Sequence, residues 1–305
     1  MEDQLTELDK LYFPHKWQKR FPFDQVLEEH IKFFNKETEK LKKSIRCELN
    51  VPYGLLPREK YDIIGIDLPD GEQFNPPFEQ VVISADSPIL VHVHGGYWQV
   101  KEISHSNQGF LASVLHKNAI KLAAVGYELC PELSLQEIML EIEVAIRRIL
   151  GYAKKNKSRG IYLSGHSVGA HLVAALFSGF IQTLSSEEQS LVKAVFLSCG
   201  LYDLGPLTST IINEGLKLTD ENAKLLSPQN MELSSPEHVS VYVVAAEEDS
   251  PAFLDQSKAF YEKLKNSGFK VEYRLLEQVD HFNAVEKMIE EDFEATQLFL
   301  GEIRN

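Results

Sequence analysis

The sequence predicts an α/β fold with a mostly parallel central sheet and helices on both faces. Three observations predict it. Short apolar runs recur at 89–94, 119–127, 160–163, 192–198, 239–246 and 271–276. Segments with helical periodicity separate many of them, and such alternation packs as a parallel sheet between helix layers. One run, 160–163, leads directly into Gly165-His166-Ser167-Val168-Gly169 and then a helical stretch, a strand–turn–helix unit.

Taken in order, the first 50 residues are charged and helical in character. Between 23 and 43, Val26, Leu27, Ile31, Phe33 and Phe34 recur at near-helical spacing, which predicts an amphipathic helix packed on the main body. A lid over a site is the alternative, and no residue in this stretch argues for it. The run 61–68 is closed by Pro69-Asp70-Gly71, and a loop with Pro76 and Pro77 spans 71–78. The strand 89–94 ends on Gly95-Gly96. In the helix 135–153, Ile138, Ile142, Ala145, Ile146, Ile149 and Leu150 share one face. Runs 192–198 and 239–246 read as buried strands, 252–266 as a helix, 271–276 as a strand and 284–299 as the last helix. No repeat or low-complexity linker interrupts the chain, so 1–305 is expected as one domain with residues 1–50 as a helical extension packed on it.

Composition narrows the function. The 305 residues carry 31 Lys and Arg against 45 Asp and Glu, a net charge of −14. That balance argues against a nucleic-acid partner, because affinity for phosphate backbones comes from clustered cations. The three cysteines, Cys47, Cys130 and Cys199, imply no disulfide framework. The N-terminus MEDQLTELDK lacks an apolar signal region, and no run of about 18 apolar residues exists, so no membrane partner is expected. A cytoplasmic protein is the expectation, with a nuclear pool as its variant.

The chemistry concentrates in three places. The first is the G-x-S-x-G turn, which makes Ser167 the candidate nucleophile: a strained strand-to-helix turn lifts the serine oxygen above the sheet, and the flanking glycines avoid clashes there. Ser164 lacks that glycine frame. The second supplies a base and an acid in the order this architecture requires. Asp280-His281-Phe282 follows the 271–276 strand, and Glu247-Glu248-Asp249-Ser250-Pro251 follows the 239–246 strand. His281 is the candidate base and Asp249 the preferred acid, with Glu247, Glu248 and Asp203 as competitors. Asp280 is expected to cap or orient its loop.

The third is His94-Gly95-Gly96-Tyr97-Trp98-Gln99, directly after a strand. It has the form of an HGGG-type loop whose backbone N–H groups stabilise an oxyanion, and the donors expected are Gly95, Gly96 and Tyr97 with Val168 after the serine. Losing one such donor typically costs roughly 3–4 kcal/mol of barrier. His92 and His94 form an H-x-H pair, which raises a metal site; the preferred reading is that His94 braces the glycine loop. His171 reads as structural. No H-E-x-x-H, C-x-x-C, GxxxxGK[ST] or GxGxxG motif is present, so neither metal nor cofactor is expected.

With HGGYWQ, GHSVGAHL, EEDSP and DHFN together, the sequence is similar to the kynurenine formamidase, or arylformamidase, family of α/β-hydrolases. HGGxW separates that family from HGGG lipases and esterases, and the likeness runs through essentially the whole chain, including residues 12–17. The resemblance implies hydrolysis of N-formyl-L-kynurenine to L-kynurenine and formate in tryptophan degradation, with Ser167 as nucleophile, Asp249 as acid and His281 as base, and it suggests a homodimer. Tyr97 and Trp98 beside the oxyanion loop are expected to stack on the aromatic substrate, with packing as the alternative for both. A general short-acyl carboxylesterase with the same triad and a non-catalytic hydrolase-fold binding protein are the competing functions.

Overall fold

The computed structural model describes residues 4–66 and 83–304. The expected 69–71 turn and the 71–78 loop lie outside the described residues. Eight strands form one sheet: β1 (Cys47–Pro52), β2 (Lys60–Ile64), β3 (Ile89–Val93), β4 (Lys121–Val125), β5 (Ile161–His166), β6 (Val192–Ser198), β7 (Ser240–Ala246) and β8 (Lys270–Leu276), in the order β1-β2-β4-β3-β5-β6-β7-β8. The two pairs involving β2 are antiparallel and all others are parallel.

The central strands β3, β4 and β5 are buried along their whole length. Both faces of a parallel sheet are covered by helices, which is why these strands read as unbroken apolar runs. Strand β1 was not expected from the sequence. It is an edge strand, CELNVP, mostly exposed, so its period-2 signal is diluted by polar residues.

One face of the sheet carries α3 (Leu135–Lys155), begun by a Ser134–Glu137 capping box and burying Ile138, Ile142, Ala145, Ile146 and Ile149. Helix α1 (Glu7–Tyr12) sends Tyr12 into the same core, and α5 (Pro251–Asn266) sends Phe253 and Phe260. The opposite face is covered by α2 (Val26–Lys42), which buries Val26, His30, Phe34 and Thr38 at i, i+4 spacing, and by the C-terminal helix. Helix α4 (Val168–Ala175) follows β5 and is buried throughout.

The expected helix over 284–299 is broken. It divides into α6 (Asn283–Glu286), a 3-10 turn (Lys287–Ile289) and α7 (Glu294–Arg304), with Glu290 extended between them. Three consecutive acids, Glu290, Glu291 and Asp292, follow the first helical piece, where the helix dipole disfavours negative charge.

Strand register positions the site. Val93 of β3 pairs with Gly165 of β5, so the glycine-rich loop and the serine turn emerge side by side. Ala246 of β7 pairs with Leu276 of β8, so the loops carrying Asp249 and His281 also leave the sheet together. Ligands of open α/β sheets bind at this carboxyl edge.

Candidate active site

Ser167 occupies a sharp turn at φ +56° and ψ −124°, between β5 and α4. A non-glycine residue in that region typically stores on the order of 1–3 kcal/mol of strain. The surroundings hold it there. The Ser167 amide donates to the Ser198 carbonyl at 2.8 Å. A Cβ on Gly169 would lie 2.1 Å from the Val93 carbonyl oxygen, and one on Gly165 would lie 2.3 Å from that of Gly169. Both glycines of the motif are therefore demanded by close backbone approach.

The acid and the histidine meet. Nδ1 of His281 lies 2.7 Å from Oδ2 of Asp249, and both residues are buried. The other Asp249 oxygen accepts from the Ser250 amide at 2.7 Å. The competing acids have other partners. Glu247 accepts from the Gln278 amide at 2.9 Å, Glu248 pairs with Lys19 at 2.6 Å, and Asp203 accepts from the Gly205 amide at 2.9 Å. Ser167 and His281 line one chamber together with Gly95, Gly96 and Tyr97. Among the described residues no hydrogen bond joins the Ser167 hydroxyl to the His281 ring. Such contacts often tighten only when substrate is bound.

The glycine loop lies against the serine. A Cβ on Gly95 would sit 3.1 Å from the Ser167 Cβ. Gly96, Tyr97 and Trp98 all have positive φ, at 107°, 55° and 59°, which turns this stretch of backbone sharply. Among the described residues the amides of Gly95, Gly96 and Tyr97 donate to no protein acceptor. Val168 opens α4, where first-turn amides lack helical acceptors. His94 braces the loop as expected: its Nδ1 lies 2.7 Å from the Gly95 carbonyl, and its ring stacks on Tyr127 at 4.3 Å.

Trp98 corrects the expectation that it stacks on substrate. Its side chain is fully buried and packs edge-on against His171 at 5.1 Å. The positive φ values carry its ring inward, away from the chamber. Tyr97 remains partly exposed and lines the chamber.

His92 does not join His94 in a cluster of ligands. Its Nδ1 lies 3.2 Å from the Ser164 hydroxyl. A different trio, His166, Cys199 and His281, brings one ligand atom from each to within 4.8 Å of the others. His281 Nδ1 is already committed to Asp249, and His166 Nε2 lies 2.8 Å from the His281 carbonyl. Burial pushes the Cys199 thiol well above its ordinary pKa, so a neutral thiol rather than a metal-binding thiolate is favoured.

The N-terminal segment contributes what sequence reasoning missed. Leu27, His30 and Phe34 of α2 line the chamber beside Ser167. Arg20 places Nε 2.7 Å from Asp280 and a terminal nitrogen 2.7 Å from Glu286. Asp280 in turn accepts from the amides of Phe282 and Asn283 at 2.8 Å, which caps the turn after His281, as expected of it. His30 Nδ1 reaches Glu286 at 2.6 Å, and Ser250, next to Asp249, donates to the Leu11 carbonyl. The same segment thus ties down both loops. The one sequence clue was His30, which sits four residues from both Val26 and Phe34 on the buried stripe.

Burial holds the surrounding histidines neutral: His15 falls to about 4 and His92 to about 3, and His166 lies well below the ordinary value. The chamber is small. Its volume of about 30 Å³ holds one or two waters.

Among the described residues no helix is long and apolar enough to cross a membrane. Residues 90–284 match the family model of the alpha/beta hydrolase fold. The chain is 32% identical to the kynurenine formamidase of Salmo salar over 299 residues, covering 96% of this chain and 95% of that protein. It is likewise 32% identical to the kynurenine formamidase of Danio rerio, covering 96% and 94%. A crystal structure from Silicibacter sp. TM1040 superposes with a TM-score of 0.72 at 26% identity, covering 98% of this chain and all of that one. With these relatives matched along nearly their whole length, the chain belongs to the kynurenine formamidase family of α/β-hydrolases.

Proposed function

We propose that this chain hydrolyses N-formyl-L-kynurenine to L-kynurenine and formate in tryptophan degradation, with Ser167, His281 and Asp249 as its catalytic triad. His281 takes the Ser167 proton as the oxygen attacks the formyl carbon. The negative oxygen of the tetrahedral intermediate is held by amides drawn from Gly95, Gly96, Tyr97 and Val168. His281 then protonates the departing aryl amine, and the formyl group stays on Ser167. In the second half His281 activates a water, which attacks the formyl ester and releases formate. Asp249 holds the imidazole with its proton on Nδ1 throughout.

The observation that carries this reading is the convergence of Ser167, His281 and the glycine loop on one chamber, with Asp249 Oδ2 2.7 Å from Nδ1 of His281. The decisive experiment compares kcat/KM on N-formyl-L-kynurenine and p-nitrophenyl acetate, with and without Ser167→Ala. A Ser167-dependent preference for the formamide is the expected result. A Ser167-dependent preference for the ester keeps the triad and replaces the substrate with short-chain esters. No turnover of either defeats the catalytic reading and favours a binding protein.

A further inference from the structure

A second pocket, of about 390 Å³, opens beside the chamber and shares Leu27 and Tyr97 with it. It is far larger than the chamber and falls in the size range of sites for small organic ligands. Its walls are mostly aromatic and aliphatic, with Phe13 and Phe23 from the N-terminal segment, Tyr97 from the oxyanion loop and Ile211, and His15 and Gln99 add polar groups. The Phe13 ring lies 5.7 Å from Tyr97 and 6.4 Å from Phe23. Ile211 is 44% exposed, an apolar surface left open at the pocket. Its amide is anchored by Asp9 at 2.7 Å, so the N-terminal segment fixes both walls.

One charged group lines this pocket. Asp24 is exposed, and among the described residues it makes no hydrogen bond or ion pair. An aromatic pocket with one unpaired carboxylate is complementary to an aromatic ligand bearing a cation. We propose that this pocket receives the leaving group, an aromatic amine whose side chain carries an ammonium, and that Asp24 is the ammonium's partner. The proposal rests on Ser167 being the nucleophile and on the pocket adjoining its chamber at Tyr97 and Leu27. The acyl group then occupies the small chamber and the aryl group the large pocket. This division explains why the N-terminal segment covers the site: it supplies Phe13, Phe23 and Asp24 to the pocket beside Tyr97.

The test uses the full chain and two substrates, N-formyl-L-kynurenine and its deamino analogue, which keeps the ring, formamide and carboxylate but lacks the ammonium. Asp24→Asn is expected to lower the ratio of their kcat/KM values about tenfold, through KM, as for a lost hydrogen bond to a charged group. Asp24→Lys is expected to lower it further. An unchanged ratio overturns the proposal. So does an equal loss on both substrates, which would assign Asp24 to starting α2. Calorimetric titration of L-kynurenine into wild-type and Asp24→Asn protein repeats the comparison without catalysis, and equal affinities overturn the proposal. Ser167→Ala separates the two readings. Turnover surviving in Ser167→Ala defeats the nucleophile assignment. A dead Ser167→Ala with an Asp24-independent ratio defeats only the pocket assignment.

Discussion

Asp249 and His281 lie 32 residues apart in sequence, yet Oδ2 of one is 2.7 Å from Nδ1 of the other. Neighbouring parallel strands β7 and β8 deliver them, through the pairing of Ala246 with Leu276. The carboxylate can only accept, so this contact places the imidazole proton on Nδ1 and leaves Nε2 as the basic nitrogen. Asp249→Asn is expected to lower kcat by about 10⁴-fold, because an amide supports the wrong tautomer. Glu247→Gln touches only the Gln278 amide and should change kcat less than about threefold. Steady-state kinetics on the two variants decide the acid, and the reverse ranking would remove Asp249 from the proposed triad.

Ser167→Ala should abolish turnover while leaving the unfolding midpoint close to wild type, because the hydroxyl is not needed to hold the turn. Gly169→Ala is the contrasting change. Its methyl would meet the Val93 carbonyl at 2.1 Å, so the β5–α4 turn has to open. Loss of soluble, folded protein is expected, read by circular dichroism. A well-folded Gly169→Ala would show that the turn is softer than its contacts imply.

Arg20 is the single cation bridging Asp280 and Glu286 among the described residues. Removing it leaves two largely buried carboxylates facing each other. Arg20→Met is expected to cost about 1–3 kcal/mol in urea unfolding, below the full cost of breaking a buried pair because the guanidinium is about a third exposed. Because Asp280 caps the turn that carries His281, kcat should fall as well. Unaltered stability and kcat would reduce the clamp to a surface contact.

Trp98→Ala should destabilise by about 3–5 kcal/mol, the usual cost of emptying a core aromatic site. Its effect on KM should be small where the protein remains folded, since the ring faces His171. A Trp98 variant of normal stability with a much raised KM would restore the ring to the substrate site.

The buried histidines predict an acid-sensitive fold. His92 and His94 are pushed down to about 3, and His15 and His171 to about 4, chiefly by burial. Below the ordinary histidine value of 6.5 the unfolded chain binds protons that the folded chain refuses. Stability from these groups is therefore complete above pH 6.5 and declines as pH falls toward 4, by up to about 1.4 kcal/mol per pH unit for each histidine. Glu286 adds to the loss at lower pH: its pairing with His30 and Arg20 outweighs burial and lowers its pKa, so its contribution is present above 4.5 and disappears as pH drops through the folded value. Urea unfolding at pH 7.5, 6.5 and 5.5 should show a decline confined to the acid side. A flat profile would mean that these rings protonate within the fold.

Much of this protein was legible in the linear sequence, for physical reasons that attach to particular segments. Strands such as 89–93 and 240–246 are buried on both faces, so their apolar runs stand out. The serine turn needs glycines within two residues of Ser167, and that demand is local. The glycine loop, the acid and the histidine each sit immediately after a strand, and open sheets of this kind present their strand ends to ligands. Tertiary structure decided the rest. The direction of Trp98 depends on three successive positive φ values that no composition encodes. Arg20 and Asp280 are 260 residues apart and meet only because the N-terminal segment crosses the carboxyl edge of the sheet. The second pocket exists for the same reason: its walls come from the N-terminal segment, the glycine loop and the loop at Ile211. Short-range periodicity and turn chemistry are written along the chain, whereas a cavity is bounded by side chains that only packing brings together.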